Sequence, residues 1–298
     1  MALEAADIAA IINATRDSGG IPVSVNLMAT TEWTQYLMMI GITVLGSLFV
    51  FIFLWDGYIK PFVGSMVVKL TLRNFKKRTG RDALIIKHTF NGLFAQSMID
   101  ITTLNKLETA LKKFDGRPFD IILHTPGGQI FYAQILSKII KNYKSEVRAI
   151  IPFYAMSGGT MLALSCNKIV MGDFACLGPV DPQIGSLFSF GSAKSWKEVL
   201  KRKGRRANDS SIQMAYIGEQ YTKTLRREVA TLLSDKITDK DQLNVTAEIL
   251  TDGQLEHAYQ LDRAKLADLG IATEPLDYES QKTLSKIICN NWIEGEFW

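Results

Sequence analysis

An uninterrupted apolar segment near the start of the chain dominates the pattern of hydrophobic and polar residues. Residues 33–55 include no charged side chain, and almost every position from Tyr36 to Trp55 is apolar. At 1.5 Å per residue, a helix of this length spans the roughly 30 Å hydrocarbon core of a bilayer. Aromatic residues at both ends, Trp33 with Tyr36 and Trp55 with Tyr58, suit the two membrane interfaces. The pattern predicts one transmembrane helix; a buried core helix and a cleaved signal peptide are the alternatives.

Beyond residue 81, short apolar runs alternate with segments of helical periodicity. The predicted strands are 83–86, 119–123, 147–153 and 169–171, and the predicted helices are 104–114, 130–143, 158–165, 213–233 and 261–269. Strands and helices that alternate on this scale indicate an α/β fold with a largely parallel sheet covered by helices. In such folds ligands bind beyond the carboxyl ends of the strands.

Charge is distributed unevenly around the apolar segment. The first 32 residues have a net charge of −3, residues 56–81 have +6, and the remainder has +1. Because Lys and Arg are retained on the cytoplasmic side, we expect a single-pass protein of the cell inner membrane. Its N-terminus would lie outside and its large C-terminal portion in the cytoplasm. The basic stretch is either a topology signal alone or also a binding site for anionic membrane lipids.

Composition excludes several classes of protein. The 298 residues are 47% hydrophobic, which excludes a disordered or fibrous chain. The formal net charge of +4 is too small to indicate a nucleic-acid partner. Three cysteines, Cys166, Cys176 and Cys289, are an odd number without C-x-x-C spacing, so neither a disulfide framework nor a cysteine zinc site is predicted.

Two glycine turns follow neighbouring predicted strands. The first is His124-Thr-Pro-Gly-Gly128 and the second is Tyr154-Ala-Met-Ser-Gly-Gly159, and each precedes a predicted helix. Such turns aim backbone N–H groups into the crevice, where they can receive negative charge. Ser157 could therefore attack a carbonyl while Gly127 or Gly128, together with Gly158, holds the oxyanion. Phosphate binding and an ordinary turn are the alternatives, although neither dinucleotide-binding nor P-loop glycine spacing is present.

A nucleophilic serine needs a base, most often a histidine, and the chain has three histidines: His88, His124 and His257. No H-E-x-x-H pair is present, so a zinc hydrolase is not predicted. His257 lies in a turn before the last predicted helix. A purely structural role is the alternative for this histidine.

Four blocks of sequence closely resemble the serine dehydrogenase proteinase family: HTPGGQI, FYAMSGGTMLALSCNKIVMG, ACLGPVDPQIG and ILTDGQLEHAYQLDRAKLADLG. Members of this family are membrane-bound relatives of signal peptide peptidase A and the Clp protease, within the Clp/crotonase superfamily. The likeness covers about residues 83–271. It implies a spiral of ββα units, serine peptidase activity and a homo-oligomer, with no cofactor and no metal.

The resemblance also assigns roles to residues. Ser157 matches the nucleophile, Gly127, Gly128 and Gly158 match the oxyanion loops, and Asp181 and His257 match the other two triad members. Asp181 could instead cap an Asp-Pro turn. In a serine–lysine mechanism like that of signal peptide peptidase A, Lys201 or Lys203 would be the base, whereas a solvated basic loop over 194–206 is the alternative. His124 is expected to support the Pro-Gly-Gly loop.

The predicted protein is a membrane-anchored serine peptidase that cleaves peptides or membrane proteins through an acyl-enzyme on Ser157. A catalytically inactive oligomeric membrane scaffold and a crotonase-like acyl-CoA enzyme are the alternatives. The predicted organisation is an extracytoplasmic segment (1–32), a transmembrane helix (33–55), a basic juxtamembrane linker (56–81), a peptidase domain (82–275) and a C-terminal tail (276–298).

Overall fold

The computed structural model describes residues 26–88, 90–91, 95–96, 98–186, 189–290 and 295–297. Most of the predicted extracytoplasmic segment, residues 1–25, lies outside the described residues. The chain divides into two units, Met1–Phe62 and Val63–Trp298.

The first unit contains the apolar helix that the hydrophobic pattern predicts. Helix α1 spans Asn26–Leu54, and a π-helical segment, Trp55–Ile59, follows it. By length and composition, the helical stretch from Trp33 is long and apolar enough to cross a membrane, and its most apolar window is 0% buried. This exposure differs from that of the core helix of a soluble domain, whose apolar side chains would be covered by protein.

The second unit is built around a six-stranded sheet, whose strands lie in the order β11 (Glu274–Pro275), β7 (Lys168–Met171), β5 (Val147–Ile151), β4 (Phe119–His124), β1 (Asp82–Lys87) and β12 (Gly295–Phe297). All neighbouring strands are parallel except β12, which pairs antiparallel with β1. The central strands are apolar on both faces: Ile85, Ile86, Ile121 and Ile122 are fully buried. Strands with this pattern belong to sheets covered on both sides. The predicted α/β class with a parallel sheet is therefore confirmed.

The described strands are β1 (Asp82–Lys87), β2 (Phe90–Asn91), β3 (Ala95–Gln96), β4 (Phe119–His124), β5 (Val147–Ile151), β6 (Tyr154–Ala155), β7 (Lys168–Met171), β8 (Cys176–Leu177), β9 (Gln183–Ser186), β10 (Ser189–Ser192), β11 (Glu274–Pro275) and β12 (Gly295–Phe297). The helices that follow α1 are α2 (Lys60–Thr79), α3 (Ile101–Phe114), α4 (Ile130–Lys141), α5 (Gly158–Ser165), α6 (Ala193–Lys203), α7 (Asp209–Leu233), α8 (Lys240–Thr251), α9 (Arg263–Asp268) and α10 (Tyr278–Ile288).

Short second strands give the fold its repeated unit. β6 pairs in parallel with β8, and Thr125 forms an isolated parallel bridge with Ala155. Two sheet strands, β4 and β5, are thus each followed by a short segment in a second layer and then by a helix. This arrangement places the segments after β4 and β5 side by side, and both glycine turns lie there.

Two apolar clusters cover the two faces of the sheet. The larger one includes Leu107, Leu136 and Leu162 from helices α3, α4 and α5. The smaller one joins sheet residues to Val68, Leu72 and Phe75 of α2 and to Leu284, Ile287 and Ile288 of α10. The second half of the predicted basic linker and the first part of the predicted tail therefore contribute to the core.

One further segment, residues 194–206, differs from a simple sequence expectation. Residues 194–206, for which a solvated basic loop was one interpretation, form helix α6 and a 3₁₀ turn, Gly204–Arg206. The Ser192 side chain caps α6, and Trp196 Nε1 donates to the carbonyl of Ile184 at 2.9 Å. These contacts fix a helix where charge density alone suggests none.

Arg81 lies in a buried ion network and does not face solvent freely. Asp120 on β4 has a fully buried side chain, and its Oδ1 accepts from Arg81 Nε at 2.7 Å. Its Oδ2 accepts from Arg148 of β5 at 2.7 Å. The hydrogen bond to Asp120 raises the pKa of Arg148. Two guanidinium groups thus balance one buried carboxylate and join the amino ends of β4 and β5 to the residue that precedes β1.

Candidate active site

The two glycine turns are held together by backbone hydrogen bonds. The N–H of Met156 donates to the carbonyl of Thr125 at 2.9 Å, and the N–H of Thr125 donates to the carbonyl of Tyr154 at 3.2 Å. These bonds continue the parallel order of β4 and β5 beyond the sheet. The turn after β4 therefore lies against the turn that carries Ser157.

Glycine is required at both positions of the Pro-Gly-Gly turn. Gly127 has a φ of +113°, and a Cβ there would lie 2.8 Å from the Cβ of Ser157. A Cβ on Gly128 would lie 2.4 Å from both the N and the O of Ile99. Ile99 holds this turn through two backbone hydrogen bonds of 2.9 Å, one to Gly127 and one from Gln129. No side chain fits between these backbones, which explains the Gly-Gly pair.

Ser157 has a strained backbone. Its φ of 50° and ψ of −116° place a non-glycine residue in the region that favours glycine. Such a conformation costs about 1–3 kcal/mol and persists where the surrounding structure imposes it, often at functional sites. Ser157 precedes the first residue of α5, and its side chain makes no capping hydrogen bond to that helix. The hydroxyl is half-buried and lines a cavity of about 770 Å³.

Two backbone N–H groups are available beside this hydroxyl. The N–H of Gly127 is used, because it donates to Thr125 Oγ1 at 3.1 Å. Within the described part of the chain, neither Gly128 N–H nor Gly158 N–H donates a hydrogen bond. The two groups are close together, since a Cβ on Gly158 would lie 3.6 Å from the nitrogen of Gly128. Gly128 lies two residues before the start of α4, and Gly158 is the first residue of α5. The N-terminus of a helix favours an anion.

His257 and Asp181 form a hydrogen-bonded pair in the same cavity. His257 Nδ1 lies 2.7 Å from Asp181 Oδ1, and the Asp181 side chain is only 1% exposed. A carboxylate can only accept, so Nδ1 is the donor and Nε2 is left as the basic nitrogen. The other Asp181 oxygen accepts from Gln183 Nε2 at 2.6 Å. The Asp181 carboxylate is therefore engaged by two side chains.

The cavity brings together Ser157, His257, Asp181, Gly127 and Gly128. The other residues that line the cavity are Met98, Pro126, Gln129, Ile130, Phe131, Gln134, Gln183, Ile184, Gly185 and Tyr221. Although Ser157 and His257 line the same cavity, no hydrogen bond links them within the described residues.

The two lysines considered as alternative bases lie elsewhere. Lys201 and Lys203 are exposed in the last turn of α6, and neither lines the cavity. Across the described residues, no group of three or more His, Cys, Asp or Glu side chains is placed to hold a metal ion.

Two contacts of the site were not predicted. Gln183, which holds Asp181, lies two residues after it in GPVDPQIG, but an amide in such a position has no distinctive spacing. His88 is buried, and its Nδ1 lies 3.0 Å from Thr125 Oγ1, the same oxygen that receives the N–H of Gly127. His88 thus lies behind the Pro-Gly-Gly turn, although it is 37 residues from Thr125 in sequence.

His124 is buried at the end of β4. Its ring centroid lies 4.1 Å from that of Tyr154, and its buried Nδ1 has no hydrogen-bond partner among the described residues. Burial, and secondarily the positive charge of Lys87, lower the pKa of His124 to about 4. The imidazole is therefore neutral at physiological pH, and it contacts the residue whose carbonyl holds Thr125.

We predict that His124 makes the fold acid-sensitive. The folded chain has a pKa of about 4 at His124, compared with 6.5 for an ordinary histidine, so the unfolded state binds more protons between these values. The free energy of unfolding should fall by about 3 kcal/mol as the pH drops through this window. The thermal midpoint of the detergent-solubilised chain should therefore decrease more steeply from pH 7 to pH 4.5 than that of His124→Gln. Parallel slopes for the two proteins would contradict the prediction.

Known proteins are similar to this chain in sequence and in structure. A sequence model of the ClpP-like SDH-type serine proteinases matches residues 36–280. The uncharacterised protein MJ1495 of Methanocaldococcus jannaschii is 32% identical over 231 residues, covering 75% of this chain and 77% of that protein. MJ0137 of the same organism is 33% identical over 201 residues, covering 66% of this chain and 68% of that protein. ClpP1 from Listeria monocytogenes aligns with a TM-score of 0.41 and 13% identity, covering 70% of this chain and 96% of that one.

Proposed function

Because the chain belongs to the ClpP-like SDH-type serine proteinase family, we propose that it is a serine peptidase whose nucleophile is Ser157. The observation that carries the proposal is one cavity lined by a strained serine, by Gly128 with its undonated N–H and by a His–Asp pair, with Gly158 next to both the serine and Gly128. An ordinary glycine turn would not be expected to combine these three features.

In the proposed first step, His257 Nε2 takes the proton from the Ser157 hydroxyl as Oγ bonds to the substrate carbonyl carbon. The carbonyl electrons move to oxygen, and the N–H groups of Gly128 and Gly158 receive this oxyanion. Each such donor is typically worth about 3 kcal/mol of barrier. Because Gly127 N–H already donates to Thr125, we assign the first donor to Gly128.

In the second step, the tetrahedral intermediate collapses, the C–N bond breaks, and His257 returns its proton to the leaving amine. The product is an acyl-enzyme on Ser157, which water hydrolyses with the same proton transfers. Asp181 holds Nδ1–H of His257 and stabilises the imidazolium that forms in each half of the reaction. Gln183 holds Asp181 from its other oxygen.

We also propose that helix α1 anchors the peptidase in the cell inner membrane as a single-pass protein. The second unit, residues 63–298, would lie in the cytoplasm and the N-terminus outside, as the charge difference across the apolar segment favours. The substrate would be a peptide or a membrane protein, and the assembled form would be a homo-oligomer.

The lining of the cavity weighs against acyl-CoA hydratase chemistry. Crotonase-like hydratases use carboxylates as acid and base. Among the described residues that line this cavity, the only carboxylate is Asp181, and both of its oxygens are already hydrogen-bonded.

A fluorophosphonate probe tests the proposal directly. We expect the full-length, detergent-solubilised chain to be labelled at Ser157, because the activated hydroxyl attacks phosphorus as it attacks a carbonyl. Ser157→Ala should abolish labelling, whereas Ser195→Ala, which removes an exposed serine on α6, should leave it unchanged. Mass spectrometry of the labelled peptide identifies the site. A folded wild-type protein that resists the probe would favour the inactive scaffold, and equal labelling of Ser157→Ala would show that the reactive nucleophile is another residue.

A further inference from the structure

The side chain of Thr125 lies between the two glycine turns and contacts both of them. It is fully buried. Its hydroxyl oxygen, Oγ1, accepts the N–H of Gly127 at 3.1 Å and donates to the carbonyl oxygen of Gly127 at 3.3 Å. Its methyl carbon, Cγ2, lies 2.6 Å from the place that a Cβ on Gly159 would take. The methyl group therefore packs against the turn that carries the serine, and the hydroxyl holds the Pro-Gly-Gly turn.

His88 holds the same hydroxyl from behind the turn. The histidine is buried, and its Nδ1 lies 3.0 Å from Thr125 Oγ1. A hydroxyl has one proton to donate and two lone pairs that accept. All three contacts of Oγ1 are satisfied when it donates to the carbonyl of Gly127 and accepts from Gly127 N–H and from His88 Nδ1–H. This assignment directs the hydroxyl proton at the Gly127 carbonyl.

The Gly127 carbonyl determines where the N–H of Gly128 points. The carbonyl accepts from the N–H of Ile99 at 2.9 Å as well as from the Thr125 hydroxyl. The peptide bond between Gly127 and Gly128 is trans and planar, so its N–H points away from its carbonyl and away from Ile99. A Cβ on Gly158 would lie 3.6 Å from this nitrogen. Holding the carbonyl in place therefore holds the N–H toward the proposed oxyanion site.

From this arrangement, we propose that Thr125 is a positioning residue, whose hydroxyl holds the Gly127–Gly128 peptide so that Gly128 N–H faces the oxyanion. The inference rests on the peptidase function proposed above. Two glycines in a row leave this peptide free to rotate, because neither has a Cβ that restricts φ. A rotated peptide would present its carbonyl oxygen, which repels an oxyanion. Without the hydroxyl, Gly127 N–H also becomes a buried donor without a partner, and this disfavours the catalytic orientation.

Two substitutions separate the hydroxyl from the methyl group. Thr125→Val keeps the buried shape and loses the hydroxyl, whereas Thr125→Ser keeps the hydroxyl and loses the methyl group. The assay is hydrolysis of a fluorogenic peptide by the full-length, detergent-solubilised chain. Loss of one oxyanion donor lowers kcat by roughly 10²–10³-fold, so Thr125→Val should lower kcat by at least about tenfold. KM should stay within about threefold, since the interaction is made in the transition state, and Thr125→Ser should keep kcat within about threefold.

Thr246 provides a matched control for lost stability. It is only 1% exposed, its Oγ1 donates to the carbonyl of Leu269 at 2.8 Å, and it lies outside the cavity lining. Thr246→Val should therefore lower the thermal midpoint and leave kcat unchanged. A peptide aldehyde gives a second readout, because Ser157 Oγ bonds to its carbonyl carbon and the electron pair moves to the aldehyde oxygen. Thr125→Val should weaken aldehyde binding by the same factor as kcat.

The proposal is overturned if folded Thr125→Val keeps the wild-type kcat, if only its KM changes, or if Thr125→Ser or Thr246→Val loses as much kcat. If Thr125→Val shows no thermal transition, Thr125→Ser and Thr125→Ala make the same comparison without the methyl group, and equal kcat values for these two would overturn it. Fluorophosphonate labelling of the wild type separates the two proposals. An active, labelled wild type with an unaffected Thr125→Val refutes this inference alone, whereas an inactive, unlabelled wild type refutes the peptidase and this inference with it.

Discussion

Replacing His257 with alanine is expected to lower kcat for peptide hydrolysis by about 10⁶-fold. Without the imidazole, the described residues that line the cavity include no second histidine and no lysine to take the Ser157 proton, and a neutral hydroxyl is a weak nucleophile. Losses of this size follow removal of either the serine or the histidine from such a unit. The measurement is single-turnover hydrolysis of a fluorogenic peptide by the solubilised full-length protein.

The controls distinguish the two candidate mechanisms. Lys201→Gln and Lys203→Gln should keep kcat within twofold, because both side chains are exposed and lie outside the cavity lining. Asp181→Asn should lower kcat by about 10⁴-fold, since an amide in place of the carboxylate favours the wrong imidazole tautomer. The double variant Ser157→Ala/His257→Ala should be no worse than either single variant, because the two residues act as one unit. A large loss with either lysine variant and a small loss with His257→Ala would establish the serine–lysine mechanism instead.

The glycine turns were predictable from sequence because their signal lies in a few consecutive residues. A Gly-Gly pair that follows a strand and precedes a helix indicates that backbone must approach backbone, and Ile99 lies where a Cβ on Gly128 would be. The sheet was predictable for a related reason. Its strands are apolar on both faces, and the runs at 83–86 and 119–123 lie within β1 and β4.

Helix α6 was harder to predict because its signal is mostly charge. Seven basic residues fall within 194–206, and that density alone favours a solvated loop. The helix depends on tertiary contacts, such as the hydrogen bond of Trp196 to Ile184. His88 and Gln183 are similar cases. Each acts on the site through one hydrogen bond whose partner is determined by the fold and by no motif.

The end of the peptidase domain is the other case in which local sequence is insufficient. The sequence blocks that carry the family resemblance end near residue 271, so the sequence analysis predicts a domain that ends at 275 and assigns the rest to a tail, whereas the family model matches as far as residue 280. In the structure, Leu284, Ile287 and Ile288 of α10 are buried against the sheet. The Lys87 ammonium, which is fully buried, donates to the carbonyls of Ile287 and Asn290 at 3.1 and 2.5 Å. Such dependence on distant partners cannot be predicted from periodicity alone.

Removal of residues 276–298 is therefore expected to unfold the second unit, which begins at Val63. Four buried apolar side chains are lost, Leu276, Leu284, Ile287 and Ile288. At about 1.5–3 kcal/mol each, the loss is about 6–12 kcal/mol, which is comparable with the whole free energy of unfolding of a typical domain. Two carbonyl acceptors of the buried Lys87 are removed as well. The truncated chain should show no cooperative thermal transition and should be digested rapidly by trypsin.

Two substitutions on α10, one at a buried and one at an exposed side chain, test whether the effect of truncation comes from lost packing. Ile287→Ala should lower the free energy of unfolding by about 2–5 kcal/mol, because it leaves a cavity in a packed cluster. Tyr278→Ala, at a side chain that is 74% exposed on the same helix, should change it by less than about 0.5 kcal/mol. Both variants should still be labelled at Ser157 at low temperature. A truncated chain that unfolds cooperatively near the wild-type midpoint would refute this account. If truncation does unfold the second unit, the truncated chain cannot distinguish a scaffold from a peptidase. The Ser157 and His257 variants then decide between the two functions.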